Sequence, residues 1–182
     1  MKIFMLLQKV ALVVIIPITA GIMGCASPAN RESMSLPSFT TSKQFNKSVS
    51  VVVFGGSDTG AMDSTNISDG EFKASIEDAI TKSKLFREVT RGSNSDVDLQ
   101  VSITSLSKPS FGFTFEVSME AGWILTRRSD KSILIKKSIK SAGKATTSDA
   151  LIAVTRIQMA VERAAQNNIS QGLNAIAELD IK

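Results

Sequence analysis

The sequence contains neither histidine nor tyrosine, and only one cysteine occurs among its 182 residues. Without histidine it lacks the commonest general base and the commonest metal ligand of proteins. A single cysteine excludes disulfides within the chain and cysteine-based zinc sites. The side chains that remain for catalysis are those of Asp, Glu, Lys, Arg, Ser and Thr. We therefore expect no enzyme activity, no metal and no cofactor.

A hydrolase built on a serine and a lysine is the enzymatic alternative, because both residue types are plentiful. The segments SDK at 129–131 and SAGK at 141–144 are matches of the kind expected by chance, and no nucleophile elbow accompanies them. The net charge is +4, and Lys2 and Lys9 contribute two of these charges, so +2 is left for the rest of the chain. Since no dense stripe of Lys and Arg occurs, we expect no binding to nucleic acid.

The first 24 residues have the layout of a secretory signal peptide. Lys2 and Lys9 form a positive start, an apolar stretch follows, and the small residue Gly24 stands before Cys25. The apolar stretch is shorter than the roughly 20 residues that a membrane-spanning helix needs. We therefore predict a cleaved signal peptide over 1–24, with an uncleaved N-terminal anchor as the alternative.

The four residues at 22–25 resemble the bacterial lipobox, in which an aliphatic, a variable and a small residue precede an invariant cysteine. Here these residues are Ile22, Met23, Gly24 and Cys25. The resemblance implies cleavage before Cys25, two acyl chains such as palmitate on its thiol, and usually a third on its amino group. Each buried methylene contributes about 0.8 kcal/mol, so two or three chains form a firm anchor. Ala26 stands where an Asp often marks inner-membrane retention, so the resemblance implies an outer-membrane lipoprotein with a periplasmic domain. An ordinary secretory peptide with a chance cysteine is the alternative.

The stretch from 25 to 47 is rich in Ser, Thr, Asn and Pro and has no helical or strand period. We expect the lipidated cysteine to be followed by a flexible tether that lets the folded domain stand off the membrane. Phe39 and Phe45 are expected to dock on the domain, or alternatively on a partner. Residues 48–182 are expected to form a single domain, because their length suits one core.

The first part of this domain predicts a strand followed by a helix. Residues 48–56 are rich in β-branched side chains and end in a glycine pair, which indicates a buried strand. Ser68 and Glu71 form a capping box at the start of the helix. Its solvent side is expected to carry Glu77 and Asp78. Its apolar face is expected to comprise four residues at helical spacing: Phe72, Ile76, Ala79 and Ile80.

Further strands are predicted by short apolar runs and by alternation with a period of two. A short strand near 86–89 precedes an alternating strand at 97–103, and the longest alternation covers 111–125. A hairpin turn at 126–132 leads to a return strand, in which Lys137 breaks the apolar phase and indicates a bulge or an edge position. The long strand is expected to bury eight side chains: Phe111, Phe113, Phe115, Val117, Met119, Ala121, Trp123 and Leu125. The return strand is expected to bury three: Ile133, Ile135 and Ile139.

A long final helix is predicted from 149 to 178, capped by Thr147 or Ser148 and kinked near 166–172. Its alanines indicate close packing on the sheet. The order β-α-β-β-β-β-α predicts an α+β fold, a two-layer sandwich with a mostly antiparallel sheet and both helices on one face. Because the strands alternate, we expect the other face of the sheet to be exposed to solvent.

Two stretches, 71–89 and 96–106, resemble a group of small envelope proteins that includes the TolB N-terminal domain, the penicillin-binding-protein activators and the curli-secretion lipoproteins. The shared features are a helix after the first strand, a KLFREV-like exit and a DVDLQVSITSL-like strand. The resemblance covers about the first half of the domain. It implies a non-catalytic role in the cell envelope, such as binding a partner protein or helping to assemble a machine.

The sequence therefore predicts a lipid-anchored binding or assembly module of the cell envelope, held in the membrane by acyl chains on Cys25 and partnered by an envelope protein. The alternative is an auxiliary lipoprotein of a lipid or solute transport system, which would need an apolar groove. One candidate contact surface is the solvent-exposed face of the sheet, with Gln100, Thr104, Glu116 and Glu120. The other is a basic hairpin that could meet anionic glycans or lipid headgroups. Its cations are Arg127, Arg128, Lys131, Lys136 and Lys137.

Overall fold

The structure is a computed structural model in which residues 26–36, 39–60, 63–92 and 94–181 are described. The predicted signal peptide, the lipobox residues Ile22, Met23 and Gly24, and the predicted lipidation site Cys25 lie outside the described residues.

Within the described residues, five strands form one mixed sheet with the order β2-β1-β3-β4-β5, and three helices pack beside it. β1 is parallel to β2 and β3, whereas β3, β4 and β5 are antiparallel neighbours. The predicted α+β sandwich is confirmed, but the sheet contains more parallel pairing than expected. β1 and β2 are parallel because α2 crosses from the end of β1 to the start of β2. The elements are α1 (Arg31–Met34), β1 (Phe45–Phe54), α2 (Asp69–Ser83), β2 (Phe86–Val89), β3 (Val97–Ser107), β4 (Phe115–Arg127), β5 (Ile133–Ala145) and α3 (Ala153–Ala177).

The strands alternate between a buried face and a solvent-exposed face, as predicted. In β3, Val97, Leu99 and Val101 are buried, and β4 buries every second side chain from Phe115 to Leu125. The predicted apolar face of α2 is fully buried as well. Phe45 belongs to β1, and its ring centroid lies 5.3 Å from that of Phe86, so this aromatic docks on its own domain. A single core therefore lies between one sheet face and the helices.

α3 approaches β5 closely, as its alanines indicate. A Cβ atom on Gly143 would lie 2.1 Å from the carbonyl oxygen of Ala160, so no larger residue fits there. The hydroxyl of Ser141 donates to the carbonyl oxygen of Ala164 at 2.8 Å. Small residues on both elements thus let the backbone of the helix approach the strand. The helix runs without interruption from 153 to 177, through the stretch 166–172 where a kink was predicted.

A buried polar cluster connects α3 to the sheet. Asn168 is fully buried, and its Oδ1 accepts from Nε1 of Trp123 at 2.9 Å. Its Nδ2 donates to the carbonyl oxygen of Ile139 at 3.0 Å and to Oγ of Ser141 at 3.2 Å. Because every polar atom of the amide has a partner, the group can be buried at low cost, and its geometry orients α3 on the sheet.

Both predicted helix starts need correction. Ser68 accepts from the Glu71 amide at 3.3 Å as predicted, but the Glu71 carboxylate accepts from the amide of Arg31 at 2.7 Å instead of closing the capping box. α3 begins at Ala153, after an N-cap without a side-chain hydrogen bond, so the caps predicted at Thr147 or Ser148 are wrong. The reason is a turn in which Asp149 accepts from the amide and hydroxyl of Thr146 (2.7 and 3.0 Å) and so competes with helix formation.

The predicted long strand is four residues too long at its start. β4 begins at Phe115, which pairs with Ala145 at the end of β5, whereas Phe111 and Phe113 are 88% and 83% exposed. β5 has no pairing residue beyond Ala145, and Gly112 has a φ of +143°, which interrupts the extended backbone. The burial of these two phenylalanines was therefore wrongly predicted.

β5 is an edge strand, as the broken phase at Lys137 indicated. Lys137 itself pairs with Trp123 in regular register, and the register shifts only opposite Leu125 and Thr126. Ile139 is buried, but Ile133 is 60% exposed and Ile135 is only half-buried. The irregularity lies between Ile133 and Ile135, so it takes Ile133 out of the phase that Ile135 and Ile139 share.

Candidate interaction surfaces

Residues 26–36, which we call the N-terminal segment, pack against α2 and α3 instead of forming a tether. Ala29 and Met34 are buried in the core cluster. Nε of Arg31 donates to Oδ2 of Asp78 at 2.6 Å, and its Nη2 contacts the other carboxylate oxygen. These hydrogen bonds lower the pKa of Asp78, although partial burial opposes the shift. Asp78 was predicted to face solvent; it holds the N-terminal segment instead.

The N-terminal segment is also bonded to α3. Oε1 of Glu162 accepts from the amide and from Nδ2 of Asn30, at 3.3 and 3.1 Å. Nε2 of Gln166 donates to the carbonyl oxygen of Ser33 at 2.7 Å. The polar composition of these residues resembles that of a linker, but their side chains and carbonyl groups bond to specific partners on two helices. The prediction of a flexible tether is therefore wrong for residues 26–36.

The start of the described chain lies against the loop between β1 and α2. The hydroxyl of Thr65 donates to the carbonyl oxygen of Ser27 at 2.8 Å, and the amide of Ala29 donates to the carbonyl oxygen of Asn66 at 3.1 Å. Because Cys25 is two residues before Ser27, it lies at most about 7 Å of extended chain from this bonded position.

The solvent-exposed face of the sheet carries the four polar residues that the sequence singled out. The hydroxyl of Thr104 donates to the carbonyl oxygen of Glu120 at 3.0 Å. The carboxylate of Glu120 accepts from the Ser138 hydroxyl at 2.6 Å. Gln100 and Glu116 are exposed on the same face. These groups form a polar surface, and the described contacts give them no arrangement suited to proton transfer or ligand coordination.

This face also exposes two large apolar side chains that sequence reasoning placed in a buried strand. Val52 is 53% and Phe54 is 42% exposed. The strand pairing places Phe54 at one end of a row that continues through three small residues: Ser102, Gly122 and Ser138. A Cβ atom on Gly122 would lie 2.9 Å from Oγ of Ser102. The row is thus a shallow trough across three strands with an apolar end, and we call it the sheet trough.

The basic hairpin is less cationic than its composition suggests. Arg128 bonds to Asp98 on β3, and Nη1 of Arg127 donates to Asp130 at 3.2 Å. Hydrogen bonds from Ser132 and, to a smaller extent, from Arg127 lower the pKa of Asp130 to about 2. The arginines are therefore paired within the fold. The exposed cations of the hairpin are three lysines: Lys131, Lys136 and Lys137.

One end of the sheet carries four exposed apolar side chains in two loops. Because Phe115 pairs with Ala145, the loop before β4 and the loop after β5 leave the sheet at the same end. We call this region the apolar end. Its exposed side chains are Phe111 (88%), Phe113 (83%), Leu151 (88%) and Ile152 (64%). Sequence reasoning missed this surface, because the phenylalanines continue the alternation of the buried strand.

A surface depression of about 610 Å³ lies beside β4, β5 and α3, and polar and apolar atoms contribute about equally to its walls, which include Glu120, Lys140 and Asn167 as well as Met119 and Ala142. Among the described residues, no cluster of acidic or cysteine side chains is suited to hold a metal ion. None of the described helices is long and apolar enough to cross a bilayer.

No protein-family model matches the chain, and no curated protein matches it. Among solved structures, it is similar to protein XCC0632 from Xanthomonas campestris, which is described with the family model DUF330. The two are 12% identical and superpose with a TM-score of 0.58. The match covers 79% of this chain and 89% of XCC0632. The hypothetical protein CT253 from Chlamydia trachomatis has 8% identity, coverage of 73% and 96%, and a TM-score of 0.54. A minor lipoprotein from Acinetobacter baumannii has 8% identity, coverage of 73% and 95%, and a TM-score of 0.47. At these identities the likeness shows the fold alone, and the predicted kinship with the TolB-like group is not confirmed.

Proposed function

We propose that this chain is a lipid-anchored cell-envelope protein that acts as a non-catalytic binding or assembly module. In this proposal Cys25 carries acyl chains in the outer membrane, and the folded domain lies in the periplasm. The support for the anchor is the signal-peptide layout and the lipobox-like residues before Cys25. The position of the N-terminal segment is consistent with the anchor, because Ser27, two residues after Cys25, is bonded to the loop at one end of the domain.

The observation that carries the binding role is the sheet trough. On the exposed face of β1, β3 and β4, opposite the core, Phe54 is paired with the small residue Ser102 at the apolar end of the trough. Val52 lies beside the trough, two residues before Phe54 on the same face of β1. Apolar side chains grouped on an exposed surface are typical of contacts with other proteins. The small side chains of Ser102 and Gly122 allow the backbone of a partner to approach the sheet. A partner protein with an apolar ridge fits this trough, and the polar groups beside it can form the rim of the interface.

Crosslinking in living cells tests the binding role. A photoreactive amino acid at Val52 is expected to capture one envelope protein, because this exposed side chain lies beside the apolar end of the trough, two residues before Phe54 in β1. The same amino acid at Lys82, which is exposed on α2, serves as the matched control. Identical products from both positions, or none from Val52, would contradict the proposal.

A second variant separates the contact from the fold. Val52→Asp places a charge in the proposed interface at an exposed position, so we expect loss of the crosslinked partner with an unchanged unfolding temperature. Retention of the partner would show that the trough is not the contact.

The anchor has its own test. The intact mass of membrane-extracted protein is expected to equal that of residues 25–182 plus acyl chains, and the Cys25→Ser variant is expected to lack this addition. An unmodified wild-type mass would reject the anchor and leave the binding test in place.

A further inference from the structure

The apolar end has an unusual composition for a surface in contact with water. Phe111 and Phe113 are almost entirely exposed in the loop before β4, and Leu151 and Ile152 are exposed in the loop before α3. Single exposed apolar residues are common on proteins, but four large ones in two loops at the same end of a sheet form a candidate binding surface.

The first described residues lie at the same end. Nζ of Lys108, at the start of the loop that carries the phenylalanines, donates to the carbonyl oxygen of Thr65 at 2.9 Å and to Oδ1 of Asn66 at 2.5 Å. Thr65 in turn donates to the carbonyl oxygen of Ser27 at 2.8 Å. One loop residue therefore bridges the phenylalanine loop to the start of the N-terminal segment.

Chain lengths limit the distance between Cys25 and the apolar end. Cys25 lies within about 7 Å of Ser27, and Phe111 lies within about 11 Å of Lys108, at roughly 3.3–3.6 Å per extended residue. The loop before α3 is tied to the same region, since Nε2 of Gln158, in the first turns of α3, donates to the carbonyl oxygen of Pro28 at 3.3 Å. A lipid on Cys25 would thus enter the membrane beside the exposed apolar loops.

We propose that the apolar end is a membrane-contact surface whose loops enter the interface of the same bilayer that holds the acyl chains of Cys25. The inference rests on the proposed lipid anchor and extends it from a point attachment to an oriented contact. Apolar and aromatic side chains on protruding loops can enter the headgroup region, where aromatic rings are favoured. The proximity of the anchor favours lipid over a protein partner, because the acyl chains hold these loops at the bilayer.

The orientation has a consequence for the other surfaces. β4 has 13 residues, so the basic hairpin lies about 40 Å from the apolar end at roughly 3.3 Å per residue. Lys131 therefore points away from the anchoring membrane, and the sheet trough stands between the two ends, where a soluble or membrane-bound partner can reach it. The headgroups of the anchoring membrane are not the partner of the hairpin in this arrangement.

Quenching by brominated lipids tests the contact. Full-length protein with Phe113→Trp is purified from membranes and placed in phosphatidylethanolamine and phosphatidylglycerol vesicles, with or without brominated phosphatidylcholine. Side chains in the interface lie about 5–10 Å into the headgroup and acyl boundary, so we expect quenching of the introduced indole by about twofold. The native Trp123 is buried in the core and supplies the background signal of the unsubstituted protein.

The control variant is Ser129→Trp, at an exposed position in the hairpin at the opposite end of β4. We expect its fluorescence to be quenched no more than that of the wild-type protein. Equal quenching of the Phe113→Trp and Ser129→Trp variants would overturn the oriented contact. Absence of quenching in the Phe113→Trp variant would overturn it too, including the case in which a second copy or another protein covers the loops.

The intact mass of each preparation separates this inference from the anchor. Acylated protein without quenching at position 113 overturns the membrane contact and leaves the anchor intact. Protein without acyl chains that is still quenched rejects the anchor and supports the contact. Protein that is neither acylated nor quenched overturns both.

Discussion

Met34 offers the sharpest test of the docked N-terminal segment. Its side chain is fully buried in the core cluster, and the helix that carries it contacts α2 and α3. Met34→Ala removes most of this buried side chain from the contact between the segment and the domain. Substitutions of this kind in cores cost about 2–5 kcal/mol. The sheet and the two long helices do not depend on the N-terminal segment for their own hydrogen bonds. We therefore expect the lost free energy to destabilise mainly the docked state of the segment, which should detach from α2 and α3 more often.

Hydrogen exchange measures this opening directly. Three amides of the segment donate to carbonyl oxygens: those of Ala29 (3.1 Å), Met34 (3.1 Å) and Ser35 (2.9 Å). These amides should exchange slowly in the wild-type protein. A loss of 2–5 kcal/mol corresponds to exchange faster by about 30-fold to several thousand-fold, up to the limit set by an unprotected chain. Peptides from β4 should be much less affected.

Glu32→Ala is the matched control, because Glu32 is exposed on the same short helix. It should leave exchange in the segment within a few-fold of the wild type. Unchanged exchange in the Met34→Ala variant would refute the docking, and an equal acceleration in β4 would show that the segment is part of one cooperative unit. With the segment released, Cys25 would sit on the flexible tether that composition alone predicts, and the proposed membrane orientation should weaken.

Three further predictions concern the core and the response to pH. Gly172→Ala should lower the free energy of unfolding by about 1–3 kcal/mol, because the added Cβ would lie 2.5 Å from the Trp123 ring, and an unchanged calorimetric midpoint would contradict this. Asn168→Leu should cost about 1–3 kcal/mol through the unpaired indole N–H and alter the near-ultraviolet circular dichroism of Trp123; a wild-type spectrum and denaturation midpoint would contradict this. Burial raises the pKa of Asp98, but hydrogen bonds from neighbouring hydroxyls and Arg128 outweigh it, so the net shift is downward. Its stabilising effect should therefore be present above about pH 4 and be lost as the pH falls through the lowered pKa. Acid titration of stability should be less steep in Asp98→Asn, and identical titrations would refute the assignment.

Much of the sheet could be predicted from the sequence, because burial on one face imposes a period of two. Leu99, Val101 and Trp123 lie where their alternation placed them. The same rule failed at Phe111 and Phe113, since alternation persists in the sequence after the partner strand has ended. A strand needs a neighbour for its hydrogen bonds, and that neighbour is not visible in the local pattern.

Only part of the candidate surfaces could be predicted, because residues that meet through distant parts of the chain leave no local pattern. The polar positions on the exposed face, such as Gln100 and Thr104, followed from alternation. The pairing of Arg128 with Asp98 could not be predicted, because the two residues are 30 positions apart and meet only through strand register. The exposed Val52 was assigned to a buried strand on composition, although a helix covers only one face of β1.

By itself, the sequence determined the α+β class, the one-sided sheet and the buried face of α2, because each depends on a periodic pattern within one element. Only the tertiary structure decided that residues 26–36 dock on two helices, that α3 starts at Ala153 and that four apolar side chains gather at one end of the sheet. These features depend on partners far apart in the chain, and on turns whose local hydrogen bonds compete with helix formation.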